Sequence, residues 1–285
     1  MIYVSYENEY GKIGMGGGAH PRFNIREITG LGLPEKNYNT VTYAGTDGQE
    51  TISETVLPRT ITIGGDISGN LQHEIANAAK VLNHPGTLYI QSLAKRRRIP
   101  CRCIAFDISE RRQGKLFQPF VFQFTADSPY FLDMENRTIA VFKRIDQITP
   151  SFSFPLVFTR RDNEADIVNA GDSNTEPIFF VYNTAKAAST YSDEYGIEIV
   201  NQTTGASIFL LYHTQDGEVI TIDIPRRKIS SDVNGNIINC ITDDTFLSDF
   251  ALTPGTNHIT VTNHNIDENI EVMCEYSSRY VEAVY

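Results

Sequence analysis

The sequence predicts a mainly β protein with two domains. Its second half, from about Ile167 to Val261, consists of short runs rich in β-branched and aromatic residues, and each run is bounded by Asn, Asp, Gly or Pro. Such runs are typical of a compact antiparallel β-sandwich. A chain of 285 residues is long enough for two domains whose cores need neither disulfides nor metals.

The first half predicts a β domain that contains one helix. Residues 60–67 alternate between apolar and polar positions as a half-buried strand does. A single apolar stripe at helical spacing then predicts one α-helix at about 68–84, and Ser68 or Asn70 can cap its start. The residues of the stripe are Leu71, Ile75, Ala78, Ala79 and Leu82. We therefore expect an N-terminal β-sandwich with one helix packed against it.

Before this strand and helix, we predict a projecting β-hairpin arm at about residues 30–55. The segment alternates weakly and contains Asp47-Gly48, a strong signal for a tight turn. The glycine-rich stretch 11–19 precedes it and lacks the sequence context of a phosphate-binding loop. We predict that this stretch is a flexible turn without regular structure.

The predicted domain boundaries follow changes in composition. Residues 1–135 form the first domain, the polar and charged stretch 136–150 is a linker, and residues 151–285 form the second domain. Pro150 and Pro155 lie at the start of the second domain, where each disfavours helix in the residue before it.

The charge balance argues against a protein whose main role is to bind nucleic acid. The formal net charge is −11 and the isoelectric point is about 5.0. The basic run 95–98 is a local exception. Its apolar neighbours favour a charged hairpin tip or a subunit contact over a nucleic-acid site.

The cysteines and the N-terminus indicate a soluble protein made in a reducing cytoplasm. The four cysteines have no histidines at metal-ligand spacing, so we expect free thiols: Cys101, Cys103, Cys240 and Cys274. The N-terminus lacks the pattern of a signal peptide, and no segment approaches the roughly 20 apolar residues of a membrane helix. No membrane association is predicted.

Short motifs follow one another in a distinctive order along the chain. In the first half they are Arg59-Thr-Ile-Thr-Ile-Gly-Gly before the helix, Gly86-Thr-Leu-Tyr after it, and Ala126-Asp-Ser-Pro-Tyr-Phe at the close of the domain. In the second half they are Asn169-Ala-Gly-Asp with Pro177, Asn201-Gln-Thr-Thr-Gly, Gly217-Glu-Val-Ile-Thr-Ile-Asp and Leu252-Thr-Pro-Gly-Thr-Asn. With its motifs in this order, the chain resembles the distal tail proteins of long-tailed bacteriophages, the Siphovirus-type tail component family. The resemblance covers about residues 23–285.

The resemblance implies an assembly protein of a phage or prophage tail. The first domain, with its arm, is expected to form a six-membered ring, and the second to be a galectin-like β-sandwich that faces outward. The implied partners are further copies of the chain, the tail tube protein, the tape-measure protein, a tail-associated or tail-tip protein, and receptor-binding proteins. DNA would pass through the ring without specific binding, and the protein would reside in the virion tail after synthesis in the bacterial host cytoplasm.

No motif predicts catalysis, and we assign no catalytic, cofactor-binding or metal-binding residues. The abundant carboxylates are interpreted as surface charge: Asp107, Glu110, Asp223, Asp243 and Asp244. Asp243 and Asp244, with Asp232 nearby, suggest a calcium loop. The D-x-D-x-D-G pattern is missing, so a solvated loop is the favoured interpretation.

A sugar-binding or receptor-binding tail adhesion protein is the alternative function. Tyr212 and His213 are adjacent on a predicted strand and should face opposite sides, while Arg226 and Arg227 follow a proline in a predicted turn. The sequence contains no Trp to serve as a sugar platform and no fibrous or repetitive segment. The sequence leaves open whether four tyrosines contact partners or pack internally: Tyr182, Tyr191, Tyr195 and Tyr212.

Overall fold

The fold is mainly β and has two domains, as the sequence predicts. The computed structural model describes residues 2–17, 21–108, 117–145, 160–184, 195–265 and 269–284. Residues 1–134 and 280–285 form the first compact unit, and residues 135–279 form the second. The predicted mainly β class is thereby confirmed, together with the helix and the hairpin arm.

Within the described residues, the first unit is built from ten strands and the helix, and Tyr280 adds half of a final short strand, β22 (Arg279–Tyr280). The elements are β1 (Tyr3–Asn8), β2 (Gly11–Gly16), β3 (Phe23–Thr29), β4 (Lys36–Val41), β5 (Glu50–Val56), β6 (Arg59–Ser68), α1 (Leu71–Leu82), β7 (Gly86–Gln91), β8 (Arg96–Ile108), β9 (Phe117–Ala126) and β10 (Phe131–Leu132). Strand β8 pairs with β7 along its first half and with β9 along its second half. The sheet therefore closes on itself through β1, β2, β3, β6, β9, β8 and β7. Closure removes the exposed edges that an open sheet would have.

The core of the first unit lies inside this closed sheet and under the helix. Alternate side chains of β6 and β9 point inward and are fully buried: Ile61, Ile63, Phe120, Phe122 and Phe124. Helix α1 begins after Asn70, whose side chain accepts a hydrogen bond from the His73 N–H at 3.4 Å. The predicted stripe included Ala79 and not Val81, but Val81 is buried and Ala79 is exposed. These two residues lie on opposite sides of the stripe, and Val81, the larger, faces the core.

The glycine-rich stretch is a strand, so the prediction of a flexible turn is wrong for residues 11–16. Strand β2 pairs along its length with β1, and Ile13 and Met15 alternate into the core. A Cβ at Gly14 would lie 2.8 Å from the Tyr3 hydroxyl oxygen. The glycine is therefore explained by the tyrosine that packs over it. Residues 18 and 19 of the predicted turn lie outside the described residues.

The described residues of the second unit form two antiparallel sheets. Its elements are β11 (Arg137–Ile145), β12 (Arg160–Asp162), β13 (Glu164–Asn169), β14 (Ile178–Asn183), β15 (Ile197–Asn201), β16 (Ala206–Leu210), β17 (Val219–Asp223), β18 (Lys228–Ser231), β19 (Gly235–Asn236), a 3₁₀ turn (Ile238–Cys240), β20 (Gly255–Asn263) and β21 (Ile270–Tyr276). The larger sheet has the order β12-β11-β21-β14-β17-β18-β19, and the smaller has the order β13-β20-β15-β16. Apolar side chains from both sheets form one buried cluster, as expected of a sandwich.

Two segments differ from the predicted domain boundaries. Most of the predicted linker 136–150 is strand β11, which pairs with β21 inside the larger sheet. Val141 and Phe142 of this strand are buried in the core. The polar residues on either side of them led to the prediction of a linker. Residues 280–285, which we predicted in the second domain, belong to the first unit. The rest of the predicted linker lies outside the part of the chain that the structure describes.

Candidate assembly surfaces

The hairpin arm is a separate two-stranded sheet. Strands β4 and β5 pair with each other in a register that has one irregularity, between Asn39 and Thr40. Nearly every residue of both strands is exposed, and Leu33 and Ile52 are 81% and 67% exposed. An isolated two-stranded hairpin is marginally stable in water. The arm is therefore the part of the first unit that gains most from a partner.

Polar cross-strand pairs hold the arm in register. Lys36 Nζ lies 3.0 Å from Glu54 Oε1, and Asn39 Nδ2 donates to Ser53 Oγ at 2.9 Å. Near the tip, the Tyr43 hydroxyl donates to Glu50 Oε2 at 3.0 Å. Cross-strand pairs of this kind contribute roughly 0.2–1 kcal/mol each. Within the described chain, the outer edges of both arm strands have no strand beside them. Such edges are templates for strand addition.

One buried arginine organises the base of the arm. Arg59 is 3% exposed, and its Nη1 donates to the backbone oxygens of Gly30 and Gly32 at 2.6 and 2.7 Å. Its Nε donates to Pro129 O at 2.6 Å, and its Nη2 donates to Val281 O at 2.8 Å. Burial lowers the pKa of Arg59 to about 10. The charge is held by four carbonyl oxygens, since an unsatisfied buried guanidinium would be very costly.

The basic run is engaged within the first unit. Lys95 forms an ion pair with Glu282, and the Arg97 guanidinium carbon lies 3.5 Å from the centre of the Tyr280 ring. Arg98 Nε donates to Asp133 O at 2.8 Å. Lys95 sits in the turn between β7 and β8, and the arginines begin strand β8. These contacts favour a structural role for the run over a nucleic-acid site.

Exposed apolar side chains lie on β8 and β9. Ile104, Ile108, Phe117 and Val121 are all exposed, and the two strands pair with each other at Asp107 and Val121. Ile104 stands at an irregularity in the pairing between Cys103 and Ala105, and it is 53% exposed. Phe117, Val121 and Ile104 lie on the outer face of the two strands, whereas Ile108 pairs with the buried Phe120. The outer face offers apolar groups to a neighbour in an assembly.

Three motifs in the second unit meet at one cluster of buried asparagines. Asn169 Nδ2 donates to Leu252 O at 2.9 Å, and Asn201 Nδ2 donates to Ala251 O at 2.9 Å. Asn201 Nδ2 also donates to Asn257 Oδ1 at 3.2 Å, and that oxygen accepts the Thr253 N–H at 2.9 Å. The turns that begin at Asn169, Asn201 and Leu252 are therefore fixed together. The three motifs therefore form turns that stabilise the fold of the second unit.

The tyrosines proposed as partner contacts have different surroundings. The Tyr212 hydroxyl donates to Glu218 Oε1 at 2.6 Å, and Tyr195 stacks on the His213 ring at 4.7 Å between centroids. Tyr182 stacks on Phe180 along β14. These contacts indicate internal packing for Tyr212 and Tyr195. Tyr191 and the carboxylate Glu110 lie outside the described residues.

The residues considered for the alternative sugar-binding function lie in a loop and a turn of the second unit. Tyr212 and His213 follow the end of β16 and lie in a loop, so the prediction that they occupy a strand is wrong. The buried carboxylate of Glu218 draws the loop inward, because Tyr212 and the Gln215 N–H both donate to it. Arg226 and Arg227 lie in a turn, as predicted, and are paired with Asp223 and Glu176.

The cysteines are thiols in apolar surroundings. All four are free, and burial raises the pKa of Cys101 to about 12 and also raises the pKa of Cys103 and Cys274. A thiol with a raised pKa is a poor nucleophile and metal ligand. Asp243 and Asp244 are exposed, and no group of three His, Cys, Asp or Glu within the described residues is placed to hold a metal ion. In the described ranges, no helix is both long and apolar enough to span a membrane.

Comparisons with known proteins agree with the resemblance. Residues 170–280 match the family model of the Siphovirus-type tail component, C-terminal domain. The crystal structure of SPP1 Dit (gp 19.1), described as a paradigm of the hub adsorption apparatus in phages that infect Gram-positive bacteria, is similar with a TM-score of 0.67. The two chains are 12% identical, and the match covers 98% of this chain and 99% of the other.

A second similar structure is a chain of the phage p2 baseplate in its activated conformation with Sr. Its TM-score is 0.50 at 10% identity, and the match covers 96% of this chain and 98% of that one. A search of curated protein sequences gave no match. The likeness to these solved structures therefore extends over both units. At sequence identities this low, the likeness shows the fold alone.

Proposed function

We propose that this chain, whose second domain belongs to the Siphovirus-type tail component family, forms the hub ring at the distal end of a phage or prophage tail. Six copies would close a ring through their first units. The ring would join the tail tube to the tail tip or baseplate and surround the path of the tape-measure protein and DNA. The second units would present a platform for receptor-binding proteins.

The exposed arm is the observation that carries this proposal. In a single chain, both faces of the arm are exposed and its outer edges are unpaired within the described residues. Strand addition to a neighbour would satisfy the free backbone groups and cover Leu33 and Ile52. A contact between the arm of one copy and a different surface of the next is heterologous, and repeated heterologous contacts close into rings.

The similar solved structures support the same role. SPP1 Dit is described as a hub, and the p2 chain comes from a baseplate. Both likenesses cover nearly the whole of this chain, so they include both units. The exposed apolar face of β8 and β9 is a second candidate surface for contacts within such an assembly.

The proposed mechanism is assembly without turnover. Lys95, Arg97 and Arg98 of the basic run make contacts inside the first unit, so the passage of DNA would be non-specific. The turn motifs of the second unit serve its fold through the asparagine cluster. The surfaces left for function are those that meet other proteins.

Replacing the arm tests the proposal directly. The Leu57 N–H donates to Glu35 O at 2.9 Å, so the two ends of the arm are adjacent and a short Gly-Ser link can replace residues 36–56. We expect the variant to keep both units folded, with unchanged far-ultraviolet circular dichroism apart from the missing strands. It should lose the ring and run as a single chain in light scattering on a sizing column.

A matched control is the double substitution Thr46→Ser and Asp47→Asn at the exposed tip of the arm. These changes leave the strands and their edges intact, so the oligomer should persist. A ring that survives removal of residues 36–56 would contradict the role of the arm.

A further inference from the structure

The first unit is discontinuous in sequence. It contains residues 1–134 and then, after the whole of the second unit, residues 280–285. We refer to residues 280–284 as the closing segment. In the order of synthesis, the closing segment follows the second domain, so the first unit cannot be complete before that domain has been made.

The closing segment is bound by specific contacts. Tyr280 is 8% exposed and lies under the Arg97 guanidinium, while Ala283 is fully buried. Glu282 pairs with Lys95, and Val284 packs against the core of the first unit. The segment is therefore part of the core and is held there by both charge and apolar burial.

Two of its backbone groups bind the residues that lead into the arm. The Ala283 N–H donates to Leu31 O at 3.1 Å, and Val281 O accepts the Arg59 Nη2 donor at 2.8 Å. The same guanidinium binds the carbonyls of Gly30 and Gly32. Without the closing segment, Leu31 O would lose its partner and one face of the buried guanidinium would open.

The base of the arm is also held against β6, whereas the strands beyond it have few contacts with the rest of the first unit. Beyond Pro34, the arm residues are exposed up to the tip, apart from the half-buried Val41. Gly30 has φ +84°, and a Cβ there would lie 2.1 Å from Thr60 O, so the chain at this point is tightly fitted against β6. Glycine adopts a positive φ without strain, so the position of the arm base depends on its contacts with β6, with Arg59 and with the closing segment.

We propose that the closing segment is a latch that fixes the base of the arm, so that a chain becomes competent to form the ring only after its second domain has been made. The part of this proposal that concerns ring formation rests on the proposed function. The latch itself is a property of the single chain. The latch would keep incomplete chains, which cannot present a platform, out of the ring.

Hydrogen exchange on the full-length chain tests the latch. Ala283→Glu places a charge at a fully buried position and should expel the closing segment. We expect amide exchange to rise about tenfold or more at residues 30–35 and at Leu57, as local opening does when its protecting contacts are lost. Exchange in β6 and β9 should stay as in the parent chain, and the oligomer should dissociate.

A milder variant covers the case in which Ala283→Glu prevents folding. Glu282→Lys replaces the ion pair with Lys95 by repulsion at a half-buried site and should raise exchange at the same amides. Asp244→Lys makes the same change of charge on an exposed loop of the second unit and should alter neither exchange nor assembly.

The outcomes separate the latch from the ring. Unchanged exchange at residues 30–35 in a variant whose residues 281–284 have lost protection would overturn the latch, whatever the oligomeric state. A parent chain that is monomeric, but whose arm base opens in the variants, would support the latch and reject the proposed ring. Assembly of a variant with an opened arm base would overturn the link between the latch and ring formation.

Discussion

Single buried polar side chains fix the geometry of both units at the residue scale. In the second unit, Asn257 is fully buried and accepts from the N–H and the hydroxyl of Thr253 through one oxygen. Its amide donates to Thr253 O at 2.7 Å. One side chain thus closes the turn before β20 and also meets Asn201. Loss of such a group leaves several buried partners unsatisfied.

Asn257→Ala should destabilise the second unit by about 1–3 kcal/mol for the unsatisfied groups it leaves. The midpoint of urea unfolding should fall while the slope stays unchanged. Asn163→Ala removes an exposed amide in the same unit and should change stability by less than about 0.5 kcal/mol. Equal stability of the two variants would contradict the role of the asparagine cluster.

The sequence identified these asparagines as turn residues, because each lies in a short motif with Gly, Thr or Pro within a few residues, which is a local turn signal. It could not show that the three turns meet, since these contacts join residues 83 and 56 positions apart. Arg59 was visible only as the first residue of a strand motif. Its partners come from three distant segments, and no local pattern reports them.

At the element scale, glycines show where strands approach each other closely. Gly65 of β6 faces the irregularity in β3, and a Cβ there would lie 1.9 Å from Asn24 O. Gly64, its neighbour, has open space around the same position. The pair therefore separates the effect of close strand packing from the effect of glycine on the unfolded chain.

Gly65→Ala should destabilise the first unit by roughly 1–3 kcal/mol, because backbone must shift to admit the methyl group. Gly64→Ala should be neutral or stabilise it by up to about 1 kcal/mol. Thermal unfolding of the two variants beside the parent chain measures the difference. Similar melting temperatures for both would show that β3 and β6 are packed more loosely than described.

Elements with a strong local period were predictable. The helix begins and ends within three residues of its predicted bounds, and strand β6 follows the predicted alternation. The glycine-rich β2 was missed because its strand character comes from pairing with β1 and from the Tyr3 ring above it. Strand β11 was missed because its buried residues are few and adjacent and do not alternate.

At the scale of the whole molecule, the order in which strands pair and the division of the chain into units cannot be predicted from local sequence patterns. The closed sheet depends on β8 pairing with two different strands, and the first unit takes its last residues from beyond the second. Neither feature leaves a local mark in the sequence. Both determine where unpaired strand edges remain, and within the described chain the arm is a prominent place where they do.

The mass of the parent chain in solution tests the central claim most directly, by light scattering on a sizing column over a range of concentrations. Six chains of 32.0 kDa each predict a species of about 192 kDa, and electron micrographs of that peak should show a ring with a central hole. A stable trimer would contradict the hub ring and favour a receptor-binding protein, for which binding to a sugar array would be the next measurement.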